Sequence, residues 1–514
     1  MIRLAELVAA LSLATDLGMG QPIEHQHRTC ALALALAAEL AVEPRELSDV
    51  YYLSLLRWIG CTSHAHELAT WFDDEIAAHS RAASFELERP LQVVLDVLRH
   101  AGAGRSPLRR IGAIADALVG GRELPGLLLS SCEVAQRLSA EIGAPAGVQH
   151  ALSQVFERWD GRGPAGLRAE QICLPVRIVR LAGDAEYFRR ERGLESAVAV
   201  VRARAGKVYD PRVAAAFCAH AERLTETLQQ ASTRAALLEA EPGPPVWLEA
   251  SELPQALEAI ADLSDLKSPW LAGHSRGVAA LAADAAKLCG LPAPQVEVVR
   301  GAGLLHDLGR IGVPSGIWDR AGPLTEAQWH RVQLHTFHAD RILDGVAALA
   351  PVRAIVAAHH ERVDGSGYHR RLPGPMLSLH ARLLSAADAC RAITEDRPHR
   401  PARSLAQTAD ELRRDVQRGR LDARAVDAVL EAAGQRRRGP RLPRARALSP
   451  REIEVLQWLV RGESTRQIAQ RLRITAKTAD HHVQHIYSKL GVRSRAAAAV
   501  YAMQNGLLDP PSDS

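Results

Sequence analysis

The sequence predicts an all-α protein made of two related helical bundles and a small C-terminal domain of four helices. Three observations predict this architecture. Ala, Leu, Arg and Glu are abundant whereas aromatic residues make up only 4% of the 514 residues, which favours helices over sheets. Blocks of sequence recur at matched spacing in two long segments. The C-terminal segment contains repeated helix start and stop signals.

Two breaks divide the chain into three segments. Residues 241–245, Glu-Pro-Gly-Pro-Pro, cannot be helical, and residues 436–441, Arg-Arg-Arg-Gly-Pro-Arg, form a strongly basic linker. We therefore expect domains at residues 1–240, 246–435 and 440–514. The length of the chain agrees with about three domains.

The first two segments look like copies of one another. Arg57 follows His25 by the 32 residues that separate His306 from His274, and Asp184 follows Asp160 by the 24 residues that separate Asp388 from Asp364. The matching blocks are 55–60 (Leu-Leu-Arg-Trp-Ile-Gly) with 304–309 (Leu-Leu-His-Asp-Leu-Gly), and 157–163 (Glu-Arg-Trp-Asp-Gly-Arg-Gly) with 361–367 (Glu-Arg-Val-Asp-Gly-Ser-Gly). We infer a duplication.

The two copies differ at the positions where metal-binding side chains are expected. In the first copy Arg57-Trp58 and Val155-Phe156 stand where the second has His306-Asp307 and His359-His360. The surviving pair, His25 and Asp184, is too small a set to hold two ions against competing water. We expect the first copy to be degenerate, a catalytically inactive scaffold, sensor or dimerisation partner.

The second copy spaces out a set of metal-binding side chains. Imidazole nitrogen and carboxylate oxygen suit Fe, Mn or Zn, and a bridging Asp can hold two ions about 3.5–4 Å apart while a shared water loses its proton. Small apolar residues flank the candidates at 301–305 and 355–358, as in buried helices, where an unpaired polar group is costly. The candidate residues are His274, His306, Asp307, His335, His359, His360 and Asp388.

This segment resembles the HD-GYP branch of the HD-superfamily phosphohydrolases. The matching strings are 272–275 (Ala-Gly-His-Ser), 304–312, 322–325 (Gly-Pro-Leu-Thr), 359–361 (His-His-Glu), 364–368 (Asp-Gly-Ser-Gly-Tyr) and 381–388. The resemblance implies an all-helical bundle in which a metal-bound hydroxide opens and hydrolyses cyclic di-GMP. It also implies that the seven candidates ligate two divalent metals, with Asp307 as the bridge, and that Arg310 contacts the substrate phosphate.

Three departures from the family pattern leave alternative functions open for this segment. Arg310 stands where the family usually has Lys, and Gly367-Tyr368-His369 lacks the Pro of the family's motif. Trp270 occupies the position at which some members have a Glu for a third metal, so we expect two metals. The alternatives are a transcription factor whose HD-like domain binds a nucleotide or metal without turnover, and a phosphohydrolase with another phosphoester substrate.

The C-terminal segment is basic and helical. From residue 436 onward there are 15 Lys/Arg against 6 Asp/Glu, whereas the preceding residues carry 48 against 53. Basic charge confined to a small terminal domain is typical of a nucleic-acid binder. Ser449, Pro450 and Glu452 predict a helix start, and further helices are predicted at 465–472, 476–490 and 494–507.

A tight turn before a third helix with polar residues at its start is the geometry of a recognition helix. The side chains free to meet phosphates and base edges are Lys477, Thr478, His481, His482 and Lys489. Residues 447–508 are similar to the LuxR-type helix-turn-helix, notably at 477–483 and 489–492. That resemblance implies binding to double-stranded DNA as a homodimer, through the last helix at 496–500.

The remaining expectations concern surroundings and partners. Seven Cys without Cys-x-x-Cys spacing indicate reduced thiols, and no uncharged apolar run reaches the ~18 residues that span a bilayer. We therefore expect a cytoplasmic protein with no membrane partner. Its predicted ligands are duplex DNA, a cyclic dinucleotide or another phosphoester, and two divalent ions.

Overall fold

The computed structural model describes residues 1–83, 90–103, 105–121, 123–230, 234–438 and 448–508. About 70% of the chain is helical. The strands among the described residues are β1 (Ile2–Arg3) and β2 (Trp247–Leu248), which pair antiparallel with Ile2 opposite Leu248. The predicted all-α class is confirmed.

The chain forms two compact units. The first contains Met1–Ala256 with Gly345–Ala348, and the second contains Leu257–Asp344 with Leu349–Ser514. Because the second unit includes both the second copy and the C-terminal segment, the predicted three-domain boundaries stay a prediction. The helices of the first unit are α1 (Leu4–Gly18), α2 (His25–Glu39), α3 (Pro44–Leu56), α4 (Ala65–Phe72), α5 (Glu75–Ala82), α6 (Pro90–His100), α7 (Pro107–Gly120), α8 (Leu124–Ile142), α9 (Ala146–Leu152), α10 (Leu174–Arg192), α11 (Leu194–Arg204), α12 (Pro211–Gln230) and α13 (Arg234–Glu239).

The next helices build the bundle of the second unit. They are α14 (Leu253–Asp265), α15 (His274–Leu288), α16 (Ala293–Leu305), α17 (Ser315–Trp318), α18 (Glu326–Leu343), α19 (Ala350–Val356), α20 (Leu379–Thr394), α21 (Leu405–Gln417) and α22 (Ala423–Arg438). Because α22 continues to Arg438, the basic stretch predicted as a linker begins inside a helix. The rest of that stretch, 439–441, lies outside the described residues.

Small side chains bring α15 and α16 close together. Ala279 and Ala282 are fully or almost fully buried on α15, and a Cβ added to Gly303 of α16 would lie 2.4 Å from the Cα of Ala279. Only a glycine permits that approach. As a result His274, the first residue of α15, lies beside His306, which directly follows α16, with ring centroids 5.6 Å apart.

The two copies fold the loop around their shared Glu-x-x-Asp-Gly-x-Gly block in the same way. Buried Glu361 accepts hydrogen bonds from the backbone N–H groups of Arg370 and Leu372, at 2.7 and 3.0 Å. In the first unit Glu157 accepts from Ala165 and Leu167 at 2.7 and 2.8 Å. This shared geometry supports the inferred duplication.

Four helices, here called the C-terminal bundle, complete the second unit: α23 (Pro450–Val460), α24 (Thr465–Leu472), α25 (Ala476–Leu490) and α26 (Arg495–Gln504). Ser449 and Glu452 form the predicted capping box, and Ser464 with Gln467 forms another. Val455, Ile468 and Ile486 are buried in its apolar core. None of the helices in the described part of the chain is long and apolar enough to cross a bilayer.

Candidate metal centre and recognition helix

The predicted ligands converge at one end of the bundle in the second unit. His274 begins α15, His335 lies in α18 and Asp388 lies in α20. The pairs His306-Asp307 and His359-His360 lie in the turns that follow α16 and α19, rather than within helices as expected. All seven predicted ligands except His360 are buried.

Six of these side chains form two groups of three, and Asp307 lies between the groups. The ligand atoms of His274, His306 and Asp388 lie within 4.8 Å of one another, as do those of the other three, His335, His359 and His360. Asp307 Oδ2 is 3.1 Å from His306 Nε2, whereas its Oδ1 is 3.7 Å from His335 Nε2. The two carboxylate oxygens therefore face different groups, which is the geometry of a bridging ligand.

Backbone carbonyl groups orient three of the imidazole rings. In His306, His335 and His359 the Nδ1 lies 2.8, 2.5 and 2.7 Å from the carbonyl oxygen three residues earlier. An N–H at Nδ1 donates to that oxygen and leaves the Nε2 lone pair directed into the site. The local backbone thus selects the tautomer that a metal ligand requires.

Burial and neighbouring charges set the ionisation of the site. Burial lowers the pKa of His335 to about 3 and that of His359 to about 4, and it holds the pKa of His360 well below its usual value. Burial also lowers the pKa of His306, but the Asp307 carboxylate outweighs this and raises it to about 10. Three rings are therefore neutral at pH 7, and the proton on His306 occupies a position that a cation can take.

Buried polar atoms without partners test whether metals fit here. His306 Nε2 and both carboxylate oxygens of Asp307 are buried and accept or donate no hydrogen bond. Burial raises the pKa of Asp307, yet Arg310 and His306 outweigh it and hold that pKa well below its usual range. Neighbouring cationic groups offset the charge of this carboxylate, but its oxygens still lack hydrogen bonds, and cations bound by the surrounding nitrogen and oxygen atoms would satisfy them. The donor set fits divalent metal ions.

Arg310 and the Tyr368-His369 pair line the same site. Arg310 Nε lies 2.8 Å from Asp307 Oδ1, and its guanidinium carbon lies 4.6 Å from the centre of the Trp318 ring. The Tyr368 ring packs against His360 at 4.9 Å, while His369 Nδ1 lies 3.1 Å from the hydroxyl of Thr336. The residue that replaces the family's Pro is therefore held against α18.

The corresponding position in the first unit is filled by a cation and a ring. His25 stacks on Trp58 with centroids 5.2 Å apart, and the Arg57 guanidinium lies 4.7 Å from the same ring. Asp184 accepts a hydrogen bond from the Tyr209 hydroxyl at 2.7 Å. Among the described residues, the groups able to hold a metal are both in the second unit. These contacts support the prediction that the first copy is inactive.

The predicted recognition helix, α25, presents most of its predicted contacts to solvent. Lys477, Thr478 and His481 are exposed, and His482 is half-buried. Lys489 differs, since its Nζ lies 2.7 Å from the Glu452 carboxylate in the capping box of α23. Four of the predicted DNA-contacting side chains are thus available, and Lys489 also ties α25 to α23.

The last helix is not the free surface that the LuxR resemblance implied. Ala497, Ala498 and Val500 are fully buried, and Ala499 is 7% exposed. The side chains of 497–500 are therefore already covered in a single chain. A dimer built through them would require this packing to open.

Comparison with known proteins agrees with both parts of the second unit. Residues 258–425 match the HD domain family, and residues 446–502 match the luxR family of bacterial regulatory proteins. The chain joins an HD domain to a LuxR-type domain. Both predicted resemblances are confirmed, and the homologues of the chain are HD-GYP cyclic dinucleotide phosphodiesterases.

Two curated relatives and one solved structure define the similarity. A 3′3′-cGAMP-specific phosphodiesterase of Vibrio cholerae is 29% identical over 404 residues, covering 78% of this chain and 88% of the relative. A cyclic di-GMP phosphodiesterase of Pseudomonas aeruginosa is 36% identical over 163 residues, 31% of this chain and 39% of the relative. The crystal structure of a cyclic GMP-AMP-specific phosphodiesterase of V. cholerae, at 24% identity, has the same fold, with a TM-score of 0.58 over 84% of this chain and 98% of that one.

Sequence reasoning missed the groups that support the ligands. Glu395 lies 2.7 Å from His274 Nδ1, and Trp318 stacks with Arg310. Trp318 lies eight residues after Arg310, and this short spacing was a signal from which a contact with Arg310 could have been predicted. Glu395 gave no signal, because it lies 121 residues from the imidazole that it contacts.

Proposed function

We propose that this protein is a two-metal phosphodiesterase that hydrolyses a cyclic dinucleotide and binds double-stranded DNA. The observation that carries the enzymatic part is the position of Asp307, whose two oxygens face two separate ligand groups. The homologues, which are cyclic dinucleotide phosphodiesterases, support the reaction class. The metal, which we take to be Fe, Mn or Zn, follows from the imidazole and carboxylate donors.

The side chains of the site have distinct tasks in this proposal. A pair of divalent ions, when bound, polarises the phosphoryl oxygens and lowers the pKa of a bound water. Asp307 would bridge the two positions, and the neutral rings of His335, His359 and His360 would hold one of them. Arg310 lies beside Asp307 as an ion pair, and the N–H donors of its guanidinium are free to meet the negative charge of the phosphodiester.

The substrate is proposed as a 3′,5′-linked cyclic dinucleotide. The relative that matches most of this chain is specific for 3′3′-cGAMP, whereas the relative from P. aeruginosa acts on cyclic di-GMP. Cyclic di-GMP is the substrate implied by the sequence motifs, and the mixed dinucleotide is the one favoured by the longer match. Both place a phosphodiester between purine nucleosides, so the same metal site serves either.

A substrate panel tests the enzymatic proposal. The metal-loaded full chain is incubated with 3′3′-cGAMP, cyclic di-GMP, a linear dinucleotide and bis(p-nitrophenyl) phosphate, and the products are separated by chromatography. We expect at least one cyclic dinucleotide to be opened faster than the synthetic ester. Turnover of the synthetic ester alone would indicate a different phosphoester substrate, and metal binding without any turnover would indicate a non-catalytic sensor.

DNA binding is proposed for the C-terminal bundle. The support is the exposure of Lys477, Thr478 and His481 at the start of α25 and the LuxR family match. Lys477→Ala should weaken binding to a fluorescent 30-base-pair duplex and reduce the salt dependence of binding by about one phosphate contact. Lys287→Ala, which removes an exposed charge from α15, is the control and should leave the affinity unchanged. Equal affinities for both variants would contradict the assignment.

We also propose that the two activities are coupled through the second unit. Leu266 and Ala272 pack against the core of the C-terminal bundle, and Ala272 lies two residues before His274. On a second segment, Asp396 lies 3.8 Å from Arg461, the C-terminal cap of α23, and directly follows Glu395, the partner of His274. Both segments that touch the bundle therefore also position a metal ligand.

A further inference from the structure

We propose that Glu395 is a positioning residue for the metal site, holding the His274 ring with its Nε2 directed at the group formed with His306 and Asp388. The proposal rests on the proposed function, because it concerns how that site binds its ions. Glu395 Oε2 lies 2.7 Å from His274 Nδ1. On the other side of the ring, His274 Nε2 lies 3.2 Å from Asp388 Oδ1.

The position of His274 explains why a side chain is needed. His306, His335 and His359 each use the carbonyl oxygen three residues earlier, which a preceding helical turn supplies. His274 is the first residue of α15, and its helix cap, Gly273, has a left-handed backbone with φ of 76°. A ring at a helix start has no preceding turn to donate to. Glu395 supplies the missing acceptor.

Glu395 is itself held on both oxygens. Arg391 Nη2 lies 2.7 Å from its Oε1, and Arg397 Nη2 lies 3.1 Å from its Oε2. Arg397 in turn donates to the carbonyl oxygen of Trp270 at 3.1 Å, four residues before His274. The carboxylate is thus fixed in position relative to the helix that carries the imidazole.

The backbone of α20 and α15 also helps to place Glu395 beside His274. Glu395 is the C-terminal cap of α20, the helix that carries Asp388, so one helix and its cap supply both a predicted ligand and the partner of another. On α15, a Cβ added to Gly277 would lie 2.5 Å from Arg391 Nε, so the glycine leaves room for the arginine that pairs with Glu395. A carboxylate at the far nitrogen of a metal-bound imidazole fixes its tautomer and increases its basicity, and its loss typically costs roughly 10–100-fold in metal affinity.

The experiment measures Co²⁺ binding to the metal-free full chain, by titration against a competing chelator and by the visible absorption of the bound ion. Glu395→Gln retains an acceptor without charge, and Glu395→Ala removes both. We expect the Co²⁺ affinity of the site that contains His274 to fall roughly 10-fold in the first variant and roughly 100-fold in the second, with a changed Co²⁺ spectrum. Glu395→Asp, which restores the charge, should recover part of the affinity.

Glu411→Gln is the matched control. Glu411 is a partly exposed carboxylate of α21 that pairs with Arg403 and contacts no predicted ligand. Thermal unfolding of the metal-free proteins shows whether each variant folds, and Glu395→Asp remains informative if the alanine variant does not. Wild-type Co²⁺ affinity and spectrum in both Glu395→Gln and Glu395→Ala would overturn the positioning role. Absence of Co²⁺ binding by the wild-type chain would instead overturn the proposed function on which it rests.

Discussion

The pair His306-Asp307 is one of the places where the ligand set of the second bundle is lost in the first. His306-Asp307 contributes one ring and one bridging carboxylate, whereas Arg57-Trp58 contributes a permanent cation and an indole. The guanidinium cannot lose its proton in a protein, so it repels the ions that a carboxylate would attract. Together with Val155-Phe156 in place of His359-His360, this exchange removes most of the metal-binding side chains while the helical frame remains.

Arg310 should contribute to turnover without contributing to metal binding. Arg310→Lys keeps the charge but loses the planar face that stacks on Trp318, the Nε beside Asp307 and the fork that we propose meets the phosphate. We expect kcat to fall roughly tenfold, equivalent to about 1.4 kcal/mol, with the metal content unchanged. Steady-state kinetics and elemental analysis on the same preparation check this. Loss of the metals in Arg310→Lys would show that Arg310 supports the ligands instead.

His27 should make the first unit sensitive to acid. Its ring is 3% exposed, and burial lowers its pKa from 6.5 to about 4. The unfolded chain therefore gains a proton below pH 6.5 that the folded chain does not, so stability falls as the pH decreases from 6.5 to 4. Between pH 7.5 and 5.0 the loss from this residue is about 2 kcal/mol.

Hydrogen exchange of the amides in α2 measures this loss. His27→Gln should lower the protection at pH 7.5 but show a smaller decrease on acidification than the wild type. His220→Gln, which changes a ring whose side chain is 45% exposed, is the control and should keep the full acid sensitivity. The same pH dependence in His27→Gln and in the wild type would contradict the assignment.

At the scale of the helices, the close contact between two elements brings predicted ligands together. The 3-10 helix Leu308–Gly312 lies against α18, and a Cβ added to Gly309 would come within 1.9 Å of the carbonyl oxygen of His335. This contact places Asp307, which caps the 3-10 helix, beside His335 on α18. The absence of a side chain at Gly309 therefore permits the approach that brings Asp307 and His335 together.

Gly309→Ala should separate these two elements. We expect the variant to lose roughly 1–3 kcal/mol of stability and at least one of the two metals. Gly322→Ala is the control, because a Cβ there would meet nothing within 4 Å. Thermal unfolding and metal analysis of both variants check the result, and two bound metals in Gly309→Ala would show that the close approach is dispensable.

The sequence predicts a structural feature well when the residues that determine it are neighbours in the chain. The helices at 465–472 and 476–490 match their predicted bounds because capping residues such as Ser464 and Thr475 lie next to the ends that they define. The candidate metal ligands were proposed from residue types and spacing that match a known family, and the structure brings their side chains together. Glu395 and the burial of the last helix were not found, because both arise from contacts between segments distant in sequence.

For the whole molecule, the proposed coupling predicts that metal occupancy alters DNA binding. The affinity of the full chain for duplex DNA should differ at least about fivefold between its metal-free and metal-loaded forms. Leu266→Ala, which weakens packing against the C-terminal bundle, should reduce that difference, whereas Leu288→Ala at an exposed position should not. Fluorescence anisotropy measures both. Equal affinities of the two wild-type forms would contradict the coupling.

The central claim is a two-metal site bridged by Asp307, and one measurement tests it most directly. The full chain and its Asp307→Ala variant are purified without oxygen, and metal content per chain is determined together with turnover of 3′3′-cGAMP and cyclic di-GMP. We predict two metals per wild-type chain, turnover of at least one of the two dinucleotides, and the loss of both properties in the variant. A wild-type chain that binds no metal, or an Asp307→Ala variant that retains two metals and full turnover, would contradict the account.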